Sequence, residues 1–360
     1  MVTQGILPRF LSPSNVPVYS GKKRSADAEP QASPAEKEAC HFCQTRSFAT
    51  HAAYPITIVN ETDDGSVLNP NFRFIDRSVL GRGVEVAEES FRTGCECPDD
   101  EDCMYGRCLC LEEMATSSDD DDDDDDDNYE DDEAMRDGPR KKRFAYYSHG
   151  TNAGLLRSRI LHSREPIYEC HAGCRCSLAC PNRVVERGRK VPLQVFRTSD
   201  RGWGIRCPIA LRKGQFVDKY LGEIITNQEA DRRRDESDIA NRKDVYLFAL
   251  DKFSDPDSLD PRLAAPALEV DGEYMSGPTR FANHSCEPNM RIFARVGDHA
   301  DKHVHDLALF AIQDIPAGEE LTFDYVDGAV DLDSDAHDPD KMKDMTRCLC
   351  GTERCRGFLW

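Results

Sequence analysis

Thirteen of the 16 cysteines in this 360-residue chain fall into groups whose spacing suits metal binding. Cys95, Cys97, Cys103, Cys108 and Cys110 form one group, and Cys170, Cys174, Cys176 and Cys180 a second. Cys286 joins Cys348, Cys350 and Cys355 from the tail to offer the four ligands of one structural zinc. In extended backbone, residues i and i+2 point the same way, so a C-x-C pair can grip one metal or two neighbouring ones. Nine thiolates satisfy three tetrahedral zincs if six bind once and three bridge. Such a cluster carries a net charge of −3, from nine thiolates and three Zn²⁺, and nearby N–H groups, Arg or Lys must offset it. A disulfide framework is the rival reading. The odd count of nine and the lack of an opening signal segment argue against it, and set the expectation of an intracellular chain with reduced thiols.

Three thiols remain. The Cys40-His41-Phe42-Cys43 stretch lacks a free matching half and reads as packing or a surface thiol pair, and Cys207 reads as core. The tail zinc would fold the C-terminus onto Arg280–Asn289 and bring Trp360 to a cleft wall beside Asn283 and His284. Arg201-Gly202-Trp203-Gly204 places two glycines around an indole, where a ligand can approach the backbone. Phosphate-binding and dinucleotide glycine fingerprints are absent, and no nucleophilic serine motif appears.

These groups need a scaffold. The net charge is −21, but the nine aspartates Asp119–Asp127 and four acids within Glu130–Glu133 supply 13 of the negative charges, leaving −8 elsewhere. The run is expected to be a solvated, disordered loop, more a spacer than a contact for a basic partner. An acidic surface disfavours nucleic acid as the primary ligand and suits a basic partner. Lys22-Lys23-Arg24 and Arg140-Lys141-Lys142-Arg143 read equally as nuclear import signals or surface charge. No apolar run is long enough to span a membrane.

Residues 1–38 are expected to be disordered, and 39–92 to form an arm packed on the core, with extended ITIVN (56–60) and FRFID (72–76). Residues 93–188 form the thiol-rich module, in which metal replaces a hydrophobic core and 112–142 is the acidic loop. From 191 to 326, short β-rich runs such as VPLQVFRT, MRIFARV and LALFAI alternate with turn signals, and Gln228–Glu236 reads as helix. Residues 327–343 read as a linker and 344–360 as a closing zinc segment. The fold class is therefore β-rich, built of small sheets with little helix.

The nine-cysteine set, RGWG, YLGE (220–223), RFANHSCEPN (280–289), ELTFDY (320–325) and the tail CLC-x4-C follow one another in the order of a known family. Residues 93–360 resemble the SET-domain lysine methyltransferases that carry flanking pre-SET and post-SET zinc modules. With HFCQTRSFATH near the start, the chain is similar to the filamentous-fungal branch that methylates lysine 9 of histone H3 in heterochromatin. The long aspartate run departs from the pattern. The resemblance implies small curved sheets with a C-terminal pseudoknot, in which 280–286 threads under a loop near 320–326, with three zincs in the pre-SET module and one in the post-SET site.

It also implies roles. Arg197, Gly202, Trp203, Gly204, Tyr246, Arg280, Asn283 and His284 would hold S-adenosylmethionine, with Leu359 and Trp360 closing over it. Tyr220, Phe323 and Tyr325 would line the catalytic lysine channel, with Tyr220 nearest the amine and Tyr325 orienting it. Phe248 would stand at the channel mouth, Asp251 would pair with an arginine of the histone tail, and the peptide would add as a strand to an exposed edge. Phenylalanine at 323 leaves room for di- and trimethylation. The implied partners are the histone H3 tail and chromatin-recruiting proteins, and the implied location is nuclear chromatin. A non-catalytic zinc-bearing reader is disfavoured because Tyr220, Asn283, His284 and Tyr325 are all present. A methyltransferase for another lysine or a non-histone protein stays open. A ubiquitin ligase is disfavoured because no His sits at ligand spacing.

Overall fold

The computed structural model describes residues 40–62, 64–105, 108–114, 145–239, 246–327 and 346–359. The expectations for the N-terminal tail, the aspartate run, both basic stretches, nearly all of the 327–343 linker and Trp360 lie outside the described residues.

The strands are short. In chain order they are β1 (Ile56–Val59), β2 (Arg73–Phe74), β3 (Val79–Leu80), β4 (Ile167–Tyr168), β5 (Leu193–Arg197), β6 (Trp203–Arg206), β7 (Phe216–Tyr220) and β8 (Glu223–Ile225). There follow β9 (Leu247–Ala249), β10 (Glu269–Asp271), β11 (Met275–Ser276), β12 (Asn283–His284), β13 (Met290–Val296), β14 (Asp306–Ala311) and β15 (Thr322–Phe323). Helices are few, among them α1 (His41–Arg46), α2 (Asp100–Tyr105), α3 (Ser158–His162) and the polar α4 (Asn227–Ile239).

The sheet β4-β13-β14-β7 divides the interior. Leu307 through Ala311 of β14 are buried on both faces, and the period of two sorts them. Ala308 and Phe310 join Phe216, Phe293 and Val296 against the thiol-rich module. Leu307, Leu309 and Ala311 face the opposite core with Val217 and Tyr220. The module therefore shares its core with the β domain, and α3 contributes Ile160 and Leu161 to it.

The N-terminal segment adds edges to three further sheets. β1 pairs parallel with β5, β2 with β11, and β3 with β8. Covered edges cannot recruit other chains. His41 of α1 packs edge-on against Phe74 at 5.8 Å and bonds the Phe72 carbonyl through Nε2 at 2.7 Å, so the Cys40–Cys43 stretch has a packing role. Cys207 is buried in the second core, as expected.

β12 and β15 form a two-residue parallel pair, Asn283↔Thr322 and His284↔Phe323. Asn289 clamps the crossing: its Oδ1 accepts from Thr322 N at 2.9 Å and its Nδ2 donates to the Glu320 carbonyl at 2.9 Å. A half-buried ion network joins the module to β7. Glu169 accepts from Arg295 Nε at 3.1 Å, Arg295 Nη1 donates to Asp306 at 3.1 Å, and Lys219 Nζ lies 3.2 Å from Asp306. Burial alone would raise Asp306, but Lys219 and Arg295 more than offset it and hold its carboxyl below the usual range.

Candidate active site and metal centres

Two sheets and the crossing converge on one set of rings. Tyr220 ends β7, Phe248 sits on β9, Phe323 on β15, and Tyr325 follows two residues later. The Phe248 ring is 4.7 Å from Tyr220, 5.6 Å from Phe323 and 6.2 Å from Tyr325, and Phe323 is 4.8 Å from Tyr325. Tyr220 and Phe323 are buried, while Phe248 and Tyr325 are half-exposed, so the set opens on one side. Each phenol donates to a backbone carbonyl: Tyr220 to Tyr246 O at 2.9 Å, Tyr325 to Ala282 O at 2.7 Å. Burial pushes both hydroxyls up, Tyr220 well above the ordinary phenol range. Neither is poised as a base near neutral pH.

Phe248, Ala249, Asp251, Asp324, Tyr325 and Asp327 line part of a cleft of about 460 Å³. Among the described residues, β9 is the edge strand of the sheet β3-β8-β10-β9. Asp251 is exposed on the rim.

A second constellation lies around β6 and β12. Gly202 has φ +74°, where a side chain would be strained. A Cβ on Gly204 would come within 2.9 Å of Glu320 Oε1. Glu320 accepts from Asn283 Nδ2 at 2.7 Å and from Arg201 Nη2 at 2.6 Å, and Asn283 also reaches the Trp203 carbonyl at 3.3 Å. This glycine-lined, half-buried indole, with the Asn283 amide held by Glu320 and the Trp203 carbonyl, suits a polar, partly aromatic cofactor such as S-adenosylmethionine. Arg280 stacks over the Tyr246 ring at 3.9 Å and donates to the Gly272 carbonyl at 3.1 Å. Arg197 turns toward the N-terminal segment and bonds Asp64 at 2.8 Å. His284 accepts from Tyr325 N at 3.2 Å, and burial lowers its pKa to about 4, leaving it neutral at neutral pH.

The tail meets this site through sulfur. Cys286, Cys348, Cys350 and Cys355 place their Sγ atoms within 4.8 Å of one another. Arg356 forms a bidentate pair with Asp324 at 2.8 and 2.6 Å, and Leu359 N donates to the Thr346 carbonyl at 2.8 Å. In the module the thiols form three overlapping quartets: Cys95/Cys103/Cys108/Cys170, Cys95/Cys110/Cys170/Cys174 and Cys103/Cys170/Cys176/Cys180. Cys170 belongs to all three. Cys97 belongs to none; it lies beside Cys103 and Cys108, half-buried. Four all-thiolate sets of this size fit zinc.

Sequence reading missed Arg201, Glu320, Asp324, Arg356 and Asn289. Four stand within quoted motifs or the tail and one closes RFANHSCEPN, but their partners lie far along the chain and no spacing reveals them.

A β fold of small sheets, a threaded C-terminal crossing and all-thiolate metal sets on either side define the architecture of a SET domain with zinc modules. The SET domain pattern matches residues 202–326 and the Pre-SET motif residues 48–183. The chain is 68% identical over 332 residues to the Neurospora crassa histone-lysine N-methyltransferase, H3 lysine-9 specific dim-5, covering 92% of this chain and 96% of that protein. It is 61% identical over 325 residues to the Fusarium mangiferae H3 lysine-9 specific KMT1, covering 90% and 94%. The solved structure of the Neurospora SET domain protein DIM-5, a histone lysine methyltransferase, superimposes with a TM-score of 0.67 at 64% identity, covering 82% of this chain and all of that one. The chain belongs to the SET-domain histone-lysine N-methyltransferase family.

Proposed function

We propose that this chain methylates lysine 9 of the histone H3 tail with S-adenosylmethionine as donor, carrying it to the trimethyl state, in heterochromatin formation and gene silencing. The observation that carries the reading is the four-ring channel of Tyr220, Phe248, Phe323 and Tyr325 at the threaded crossing, next to the Trp203–Asn283–Glu320 constellation. The names of the Neurospora and Fusarium relatives support the substrate.

S-adenosylmethionine supplies a methyl group already activated on a sulfonium. The chain's task is to present a neutral amine, which costs about 4–5 kcal/mol at pH 7 for a lysine of pKa ~10.4. The rings remove water around the amine and disfavour its charged form. Two phenols fixed on backbone carbonyls hold the amine in line. Because both phenols stay neutral, the amine's proton leaves to solvent. Phe323 offers no hydroxyl to hold a water, so the channel keeps room for methylated amines. Glu320 orients the Asn283 amide, and Arg356 with the tail thiols pins the C-terminus beside His284.

The histone tail adds along β9, and Asp251 on the rim pairs with an arginine of the peptide. The chain acts in nuclear chromatin, is brought there by recruiting proteins and does not read nucleic acid directly. A methylation assay on an H3 tail peptide tests the reading. Transfer is expected, and it should vanish when lysine 9 of the peptide is replaced by arginine. Undiminished transfer to the substituted peptide would instead favour another target lysine.

A further inference from the structure

Arg183 is only 1% exposed, deep in the thiol-rich module. Its Nη2 donates to Cys176 Sγ at 3.2 Å, to the Cys176 carbonyl at 3.1 Å and to the Cys174 carbonyl at 3.5 Å. Its Nε and Nη1 are buried without a hydrogen-bond partner. Among the described residues no carboxylate forms an ion pair with it. By contrast, buried Arg295 is matched by Glu169, Glu186 and Asp306, and buried Arg189 by Asp218. A guanidinium stays charged in proteins, and burying one without an opposite charge is strongly unfavourable. The anions within its reach are cysteine sulfurs.

The thiol cluster has the opposite deficit. Three Zn²⁺ held by the eight thiolates of the quartets leave a net charge of −2, and of −3 where Cys97 also binds. Backbone donors onto sulfur offset part of it: Cys95 N and His171 N donate to Cys174 Sγ at 3.4 and 3.2 Å. Asn182 Nδ2 lies 3.6 Å from Cys170 Sγ, the sulfur common to all three quartets. None of these carries a full charge.

We propose that Arg183 is the fixed internal counter-charge of the pre-SET zinc cluster, and that it holds zinc by its charge as well as by its shape. The proposal rests on the three-zinc reading of the module. Arg183 sits directly after Asn182, so one short segment feeds both a neutral and a charged donor to the sulfurs. Outer donors to metal ligands commonly change metal retention by roughly 10–100-fold when removed. Arg183 belongs in that range because it brings charge where water cannot.

The test uses the full-length zinc-loaded chain and three variants, Arg183→Lys, Arg183→Gln and Arg183→Met. Zinc per chain is counted by elemental analysis, and its release to a colorimetric chelator is followed over time. Charge removal in Arg183→Gln and Arg183→Met is expected to speed release of module zinc by roughly 10-fold or more. Arg183→Lys is expected to stay much closer to the parent. Zinc held by Cys286, Cys348, Cys350 and Cys355 should leave at an unchanged rate in all three. Equal release from Arg183→Gln and the parent overturns the proposal, and so does Arg183→Lys releasing as fast as Arg183→Gln, since shape alone would then matter. If the neutral variants fail to fold while Arg183→Lys folds with its zinc, charge is confirmed as the requirement. If all three fail, the charge role is rejected. A parent chain with fewer than three zincs would sink the cluster reading itself, which separates that failure from a failure of the Arg183 assignment.

Discussion

Tyr220 and Tyr325 commit their hydroxyl protons to Tyr246 O and Ala282 O, and burial keeps both phenols neutral. Tyr325→Phe should therefore lower kcat by about 100-fold through lost orientation, without changing the shape of the rate–pH profile between pH 7 and 9. Stopped assays across that range check this, and a lost alkaline limb in the variant would make the phenol a base. The same burial has a stability sign. A phenol raised in the fold contributes stability that is present below the ordinary phenol pKa of about 10 and is lost as pH climbs beyond it. Phe323→Tyr adds a hydroxyl against Phe248 and Tyr325 and is expected to shift product toward monomethyl lysine by mass spectrometry, whereas an unchanged trimethyl yield would refute the space argument. The rings were legible in the sequence because YLGE and ELTFDY occur in order. Ion pairs such as Arg201–Glu320 and Arg356–Asp324 were not, because each links residues that no periodicity relates.

β14 is the element on which both cores depend. Its alternation was readable as an apolar run, LALFAI, but not its burial on two faces, which follows from the module packing onto the far side. Phe310→Ala, at a fully buried site, should cost roughly 3–5 kcal/mol. Asp306→Asn removes the Lys219 ion pair but leaves Arg295 with Glu169 and Glu186, and with Asp306 partly exposed the cost should be smaller, about 2 kcal/mol. Urea unfolding of the zinc-loaded protein measures both. A negligible effect of Asp306→Asn would show that the ion network carries no stability. β12 and β15 were the hardest elements to foresee. Each has two residues, too few for a pattern, and their pairing is set by the threading and by Asn289 rather than by propensity.

The chain as a whole is acidic, with a net charge of −21, and its proposed substrate is basic. Raising ionic strength from low to physiological should increase KM for an H3 tail peptide more than it lowers kcat, because screening weakens steering between exposed charges. A salt-independent KM would place recognition in short-range contacts alone. Composition conveyed this charge and the division into a thiol-rich part and a β-rich part. It did not convey that the two parts share one interior, because that depends on which face of each strand the metal module covers. The central claim is that thiolate-bound zinc assembles a channel for lysine 9 of histone H3. The most direct measurement is elemental zinc per chain, taken on the same preparation whose methyl transfer to an H3 tail peptide is followed before and after chelation. Four zincs per chain and transfer that falls in step with zinc loss are the expected result. Full transfer from a preparation stripped of zinc would contradict the account.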